Sequence, residues 1–184
     1  MLMAIGPLFC LLTRGAAAAE LDGVAMPNVR PAAGVTLRLN GMGLRTYSVF
    51  RIHIYVAGLY LEQPSSDGEA ILNSDQTKLL EVRFVHDVDV EQARKAWIDG
   101  FAGNCTAPCH LPEGEVAHFL DAVPAFRRGD GSILLFTHGT AQISVNGQML
   151  GTVTDPIFAR VILATFIGHA PPTDRVKREL LGED

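Results

Sequence analysis

The sequence has little positive charge and, after its first twenty residues, no long apolar run. It contains 15 Lys and Arg residues against 20 Asp and Glu residues, for a net charge of −5. The basic residues form no stripe that could neutralise a phosphate backbone, so we expect no nucleic-acid partner. No later segment reaches about eighteen uninterrupted apolar residues, the length that predicts a membrane-spanning helix. Internal repeats and low-complexity tracts are also missing.

The N-terminus carries the longest apolar block. About twelve apolar residues are followed by small ones, with Ala17, Ala18 and Ala19 before Glu20, a pattern typical of a cleaved secretory signal. The basic residue that usually precedes the apolar core is missing, because Arg14 follows it. A buried helix or a membrane anchor is the alternative. We predict a signal peptide over residues 1–19, a periplasmic or secreted protein, and no stable membrane insertion after cleavage.

The segment after the signal shows no sustained periodicity. Residues 20–34 mix Pro, Gly and Asn, which predicts an extended N-terminal lead-in before a domain over residues 35–184. In GVTLRLN, apolar and polar residues alternate, which predicts a half-buried strand. The dipeptide Asn40-Gly41 tolerates positive φ, and we interpret it as a turn after that strand.

The run from Gly43 to Glu62 is the densest stretch of β-forming residues, and we interpret it as one long strand. Its alternation defines two faces. We predict that one face packs on a core and carries Phe50, Ile52, Ile54 and Val56. The other face is polar and carries Tyr47, Arg51, His53 and Tyr55, together with Arg45 if no bulge intervenes. Such a face is either exposed to solvent or lines a cavity.

The rest of the chain alternates between helical and strand patterns. Asp89 is a suitable N-cap for a helix that places Ala93, Trp97 and Phe101 on one stripe. The later GDGSILLFTHGTAQISVNGQMLGTV predicts consecutive antiparallel strands. A helix apolar nearly all round follows, with Asp155 as its cap. This order predicts an α+β fold with helices gathered on one face of an antiparallel sheet.

Four stretches in series carry a family resemblance. LNGMGLRTYSVFRIHIYVAGLYLE, AWIDGF, GDGSILLFTHGTAQISVNGQMLGTV and FARVILATFIGHAPPTDRVKRELLG resemble the bacterial chalcone isomerase-like proteins over residues 35–182. The resemblance implies an open-faced β-sandwich, in which a large antiparallel sheet carries helices on one face and a ligand cleft lies between them. Plant enzymes of the family cyclise chalcones, whereas other members bind fatty acids or haem without catalysis.

The resemblance also implies a site. Arg45 falls on the arginine that stabilises a phenolate in the enzymes and holds a carboxylate in the fatty-acid binders; a planar guanidinium can bind either oxyanion. The residues alone leave open an exposed arginine in a surface ion pair. Tyr55 stands where the enzymes carry a threonine that polarises the substrate carbonyl, and Ala159 replaces a Ser or Thr. A further catalytic tyrosine, expected near residues 104–112, is missing.

These departures favour a binder over an enzyme. We predict an exported protein that holds an anionic amphipathic small molecule, such as a fatty acid, through Arg45, Tyr47, His53, Tyr55 and Ala159. If the protein is an enzyme, Arg45 and Tyr55 are the predicted catalytic residues of a chalcone-flavanone isomerase-type intramolecular lyase. A scaffold without a ligand is the remaining alternative.

The motif CTAPCH allows three interpretations. In an exported protein Cys105 and Cys109 could form a disulfide, or they could stay as free or redox-active thiols. The motif also resembles a haem-attachment sequence stretched by one residue, with His110 as axial ligand. His53 is a second candidate haem ligand. We predict the disulfide, no metal site, and no cofactor other than the haem alternative.

Overall fold

A computed structural model describes residues 17–183 of the 184-residue chain. The predicted signal peptide lies outside these residues except for Ala17–Ala19. Nine strands and five helices follow one another along the described chain: β1 (Ala18–Leu21), β2 (Val24–Pro27), β3 (Val29–Ala32), β4 (Val35–Tyr47), β5 (Ile52–Leu61), α1 (Gly68–Asn73), β6 (Lys78–Phe84), α2 (Val90–Asn104), α3 (Glu113–Ala122), β7 (Gly131–Thr137), β8 (Thr140–Val145), β9 (Gln148–Val153), α4 (Pro156–Ile167) and α5 (Asp174–Leu180).

Seven strands form one antiparallel sheet in chain order, from β3 at one edge to β9 at the other. Strands β1 and β2 form a separate hairpin. The predicted α+β class with an antiparallel sheet and a helical layer is therefore confirmed.

The lead-in segment is extended but structured. Residues 20–34 contain most of the β1–β2 hairpin, and they also contain β3, which pairs with β4 as the edge strand of the main sheet. Met26 of the hairpin is 1% exposed. This segment therefore covers part of the sheet.

Both faces of the sheet are covered, by different elements. The helical face carries the larger core, to which α1, α2, α4 and α5 contribute buried side chains together with residues of the central strands. On the opposite face, which we call the hairpin face, Met26 packs with a smaller cluster: Leu37, Leu44, Val56, Tyr60 and Leu79. Successive β5 residues alternate between the two cores, because side chains of a strand point to opposite faces.

Helix α4 supplies most of the helical core, as its apolar sequence predicts. Asp155 caps it by accepting a hydrogen bond from the Phe158 amide at 2.8 Å, and Pro156 occupies the first turn. Nine of its twelve residues are buried. Asn104, at the end of α2, accepts a hydrogen bond from the Ala170 amide and donates one to its carbonyl. These bonds attach α2 to the segment that leads into α5.

The prediction of a turn at Asn40-Gly41 is wrong. Strand β4 continues through both residues, and Asn40 forms a bulge, because Leu39 pairs with Tyr60 while Gly41 pairs with Leu59. The Asn40 amide donates to the Ser65 and Leu180 carbonyls at 3.0 and 2.9 Å. A Cβ at Gly41 would overlap the Glu179 carbonyl. The dipeptide therefore lets α5 approach the sheet.

The prediction of one strand from Gly43 to Glu62 is also wrong. The run divides into the end of β4 and all of β5, joined by a turn in which the Arg51 amide donates to the Ser48 carbonyl at 3.1 Å. Ser48 and Arg51 adopt positive φ values of 64° and 52°. Phe50 lies in this turn and is 83% exposed. The turn has no Gly or Pro, which is why the sequence did not reveal it.

Candidate functional site

Arg45 lies on the helical face of the sheet, near the turn that closes the β4–β5 hairpin. Its cross-strand partner is Tyr55, which belongs to the helical core. Two residues away on β4, Gly43 lets α5 approach closely, since a Cβ there would lie 3.0 Å from the Val176 carbonyl oxygen. Arg45 Nη1 donates to the Pro172 carbonyl at 2.7 Å and to the Thr46 carbonyl at 3.0 Å.

These two bonds leave half of the guanidinium available. Within residues 17–183 no carboxylate oxygen lies within 4.0 Å of the Arg45 side chain, and neither Nε nor Nη2 makes a hydrogen bond. Nε–H and one Nη2–H lie parallel in the guanidinium plane, so this edge can bind a carboxylate with two parallel hydrogen bonds. The Pro172 and Thr46 carbonyls fix the plane of the fork.

Tyr55 lies opposite Arg45 in the β4–β5 pair, on the same face of the sheet. Burial raises the pKa of Tyr55 to about 12, while the positive charge of Arg45 acts in the opposite direction. The phenol therefore stays protonated through neutral pH and can donate a hydrogen bond. Its hydroxyl makes no hydrogen bond with the described residues, and it is not among the fully enclosed polar atoms without a partner.

A row of aromatic rings leads from Tyr55 into the space between sheet and helices. Tyr55 contacts Phe84 and Phe166, with centroids 5.8 and 6.4 Å away. Phe166 in turn contacts Trp97 at 5.8 Å, and Trp97 contacts Phe119 at 5.0 Å. We call these five residues the aromatic row. It joins a polar end, at Arg45, to an apolar interior.

The far end of the aromatic row borders a small cavity. This space of about 60 Å³ lies under α3 and against the edge of β9, with Trp97, Phe119, Phe126 and Ile143 among its walls. A larger groove of about 770 Å³ lies elsewhere, between the β1–β2 hairpin and β4, and Arg45 does not line it. The predicted cleft between sheet and helices is thus largely filled by side chains.

The remaining predicted site residues lie in different surroundings. Ala159 is buried in α4 at 3% exposure and has no polar side-chain group to offer a ligand. Tyr47 is 61% exposed at the end of β4. His53 contacts the Asp22 carboxylate at 3.0 Å, in the turn of the β1–β2 hairpin.

The prediction that His53 and Tyr55 share one face is wrong. Thr46 pairs with His53 and Arg45 with Tyr55, so Ile54 is an extra residue that bulges out of β5. A bulge of one residue reverses which face the following side chains occupy. His53 therefore turns to the β1–β2 hairpin, while Tyr55 turns to the helices.

Cys105 and Cys109 are joined by a disulfide, with Cα atoms 5.1 Å apart, immediately after α2. The structure thus shows the predicted disulfide between these two cysteines. His110 is exposed. Residues 17–183 contain no cluster of three or more His, Cys, Asp or Glu side chains suited to a metal ion.

Sequence reasoning missed Phe84 and Phe166 as part of the site. Phe166 follows Ala159 by seven residues, two turns along the same face of α4, so the helical period could have indicated it. Phe84 ends β6 and reaches Tyr55 only because β5 and β6 pair, with Tyr55 opposite Phe84. The role of the Pro172 carbonyl could not be predicted from the sequence, because every residue has a backbone carbonyl.

Fold and site define an α+β protein with an antiparallel sheet, one helical face, and a cation beside a partly buried phenol at the edge of that face. The family model described as chalcone isomerase-like matches residues 18–182. The chain belongs to the chalcone isomerase-like family, as its sequence motifs predict.

Comparison with solved structures gives a match to a fatty-acid binding protein of Arabidopsis thaliana. The TM-score is 0.74, the sequence identity is 16%, and the match covers 90% of this chain and 96% of the plant protein. At this identity the likeness shows a shared fold. No curated protein sequence matches the chain. In the described part of the chain, no helix combines the length and apolar character needed to span a bilayer.

Proposed function

We propose that the protein binds an anionic amphipathic small molecule of the fatty-acid type, with its head group at Arg45. The observation that carries this proposal is the open Nε–Nη2 edge of Arg45, which lies beside the protonated Tyr55 phenol and meets no carboxylate of the described chain. Membership of the family and the fold shared with a plant fatty-acid binding protein support the same ligand class.

The carboxylate head group of the ligand would accept two parallel hydrogen bonds from Arg45 and a third from Tyr55. Charge-assisted, bidentate pairs are stronger than neutral hydrogen bonds, and partial burial strengthens them further. Because the guanidinium is already held by two carbonyls, little rotational freedom is lost on binding. The arginine therefore sets the orientation of the ligand.

The tail would follow the aromatic row under α2 and α4. Each buried methylene contributes about 0.8 kcal/mol, so an alkyl chain could supply most of the affinity. The cavity of about 60 Å³ is too small for a long chain. Binding therefore requires rings of the aromatic row to change rotamer or α3 to shift outward. A ligand can select such a minor conformation of the protein if it binds that conformation better.

The single tryptophan provides the readout. Trp97 is the one tryptophan of the chain and lies within the aromatic row. We expect a long-chain fatty acid to change its fluorescence in a saturable manner, and native mass spectrometry to detect a one-to-one complex. Arg45→Gln should weaken binding at least about tenfold, the effect of losing one charge-assisted pair.

The matched control is Arg127→Gln, which removes an arginine that pairs with Asp87 on the surface. Its affinity should equal that of the unchanged protein. Equal affinity of the Arg45→Gln variant would contradict the assigned head-group site. Absence of any saturable change with fatty acids of several lengths would contradict the ligand class.

A second candidate function is an intramolecular lyase acting on a hydroxychalcone. The juxtaposition of Arg45 and a protonated Tyr55 favours it, because two donors aimed at one oxyanion can stabilise a developing negative charge. Loss of the substrate's long-wavelength absorbance above the rate in buffer, and its disappearance in Arg45→Gln and Tyr55→Phe, would support the enzyme.

We also propose export to an oxidising compartment. The Cys105–Cys109 disulfide supports this location, since such bonds persist outside the cytosol. Cleavage after Ala19 would keep Glu20 and Leu21 of β1 and remove the pairs of Ala18 and Ala19 with β2. N-terminal sequencing of the protein from fractionated cells tests this. An intact N-terminus in the cytosolic fraction would contradict it.

A further inference from the structure

The turn between β4 and β5 exposes a concentration of apolar side chains. Four of the eight exposed large hydrophobic residues in the described chain fall within residues 47–52, which we call the tip loop: Tyr47 at 61%, Val49 at 91%, Phe50 at 83% and Ile52 at 39% exposure. The other four are scattered singly: Val29, Ile98, Met149 and Ile157. Single exposed residues need no explanation, whereas a cluster indicates a binding surface.

The tip loop is held in place by its own hydrogen bonds. The Arg51 amide donates to the Ser48 carbonyl at 3.1 Å, and the Phe50 amide donates to the Ser48 hydroxyl at 3.3 Å. Its first and last residues, Tyr47 and Ile52, form the final cross-strand pair of the hairpin. Val49 and Phe50 therefore project from the end of a closed hairpin, and ordering them on a surface loses little backbone freedom.

The charge of this end is opposite to that of the whole chain. Arg51 lies in the tip loop and Arg45 at its base, and no carboxylate of residues 17–183 lies within 4.0 Å of either side chain. Two acidic side chains contact this hairpin, and both are engaged: Asp22 pairs with His53, and Glu179 accepts from the Leu44 amide and pairs with Arg175. The chain as a whole has a net charge of −5. An anionic surface would thus attract this end of the molecule while repelling the rest.

We propose that the tip loop docks reversibly on an anionic lipid bilayer. Val49 and Phe50 enter the interface, Tyr47 lies at head-group level, and Arg51 pairs with lipid phosphate. Aromatic, aliphatic and arginine side chains together are typical of interfacial anchors. A protein partner fits less well, because a specific interface buries about 800 Å² on each side and a convex loop of six residues offers little of that area.

Docking at this point would bring the mouth of the candidate site to the membrane. Arg45 lies two residues before Tyr47 on β4, a distance of about 7 Å along a strand. A lipid-like anion could then pass between bilayer and protein with a short exposure to water. This link rests on the proposed function, whereas the docking itself depends only on the tip loop.

Flotation with lipid vesicles tests the docking. We expect the full protein to float with vesicles that contain phosphatidylglycerol and phosphatidylcholine, and to bind pure phosphatidylcholine more weakly. The double variant Val49→Ser/Phe50→Ser should bind anionic vesicles at least about tenfold more weakly, since two apolar anchors are lost. Arg51→Gln should weaken binding to anionic vesicles by about fivefold and leave binding to neutral ones unchanged.

The matched control is Ile98→Ser/Ile157→Ser, which removes two exposed apolar side chains outside the tip loop. It should bind like the unchanged protein. Equal vesicle binding by the Val49→Ser/Phe50→Ser variant, or no vesicle binding at all by the unchanged protein, would overturn the proposal. Concentration-dependent self-association without lipid that this variant abolishes would also overturn it, in favour of a second copy of the chain.

The two proposals can fail separately. Val49→Ser/Phe50→Ser should retain fatty-acid binding in solution, as measured by Trp97 fluorescence. Arg45→Gln should lose that binding and still float with vesicles, with at most about a fivefold reduction from the lost cation. In the unchanged protein, absence of a saturable fluorescence response together with intact flotation would reject the proposed fatty-acid binding and leave the docking surface standing.

Discussion

The two faces of the sheet differ in whether their charged residues are paired with opposite charges of the chain. On the hairpin face Glu81 is 3% exposed and contacts two arginines, Arg30 and Arg83. On the helical face Arg45 donates hydrogen bonds to the carbonyls of Thr46 and Pro172, and within residues 17–183 it has no carboxylate partner. A buried charge needs compensation from the chain itself, whereas a cation at the edge of a core can keep donors for an external anion. The charges of the hairpin face therefore serve stability, whereas Arg45 on the helical face remains available for the proposed binding.

The largest effect should come from Glu81→Leu. Removal of the shared carboxylate leaves Arg30 and Arg83 without their partner. We expect a loss of about 3 kcal/mol in the free energy of unfolding, at the low end for a broken buried pair, because both arginines keep partial access to water. Urea denaturation measures it. The double variant Glu81→Leu/Arg30→Met should recover part of the loss, and a double variant as unstable as the single one would contradict this account.

Met26→Ala should have the next largest effect. Met26 is 1% exposed and joins the β1–β2 hairpin to the sheet, so its truncation leaves a cavity. We expect a loss of about 2 kcal/mol, near the lower limit for such a change, because a two-stranded hairpin can partly collapse onto the gap. Fatty-acid binding should be unchanged. A selective loss of binding would show that the hairpin face also contributes to the site.

Tyr55 should make stability depend on alkaline pH. Its pKa is raised from 10.0 to about 12 in the folded state, so folding favours the protonated phenol. The resulting stabilisation is complete below pH 10 and is lost as the pH rises through about 12. Tyr55→Phe should flatten this part of the stability profile relative to the unchanged protein, whereas Tyr47→Phe, at an exposed position, should not. Identical slopes for all three proteins would contradict the burial of Tyr55.

The smallest effect on stability should come from Arg45→Gln. Arg45 has no ionic partner in the described residues, so its replacement breaks only two hydrogen bonds to carbonyls at a partly exposed position. We expect a change below about 1 kcal/mol. Together with a clear loss of fatty-acid affinity, this result would separate binding from stability. If Arg45→Gln lowered the free energy of unfolding as much as Glu81→Leu does, the contrast between the two faces would be contradicted.

Local patterns predicted most elements of the fold but not the way in which they meet. The cap at Asp155 and the apolar sequence of α4 determine a buried helix, and Asn146-Gly147 closes the hairpin between β8 and β9. The turn at residues 48–51 and the bulge at Asn40 were missed, because neither follows its usual composition. Contacts between elements determine both features. The pairing of β4 with β5 places the turn, and the approach of α5 to Gly41 accompanies the bulge.

The candidate site shows the same division. The family resemblance indicated Arg45 and Tyr55, and the structure makes them cross-strand neighbours. His53 was grouped with them by strict alternation, and the bulge at Ile54 turned it to the opposite face. Periodicity holds only while the register is continuous, and a single extra residue reverses it.

By itself the amino-acid sequence determined the family, the helical and strand character of most segments, and the presence of one arginine suited to an oxyanion. The tertiary structure decided which charges are compensated and which stay available: Glu81 is enclosed between Arg30 and Arg83, while half of the Arg45 guanidinium has no partner in the described chain. The reason is that compensation depends on distances between segments far apart in the chain, and only their packing sets those distances.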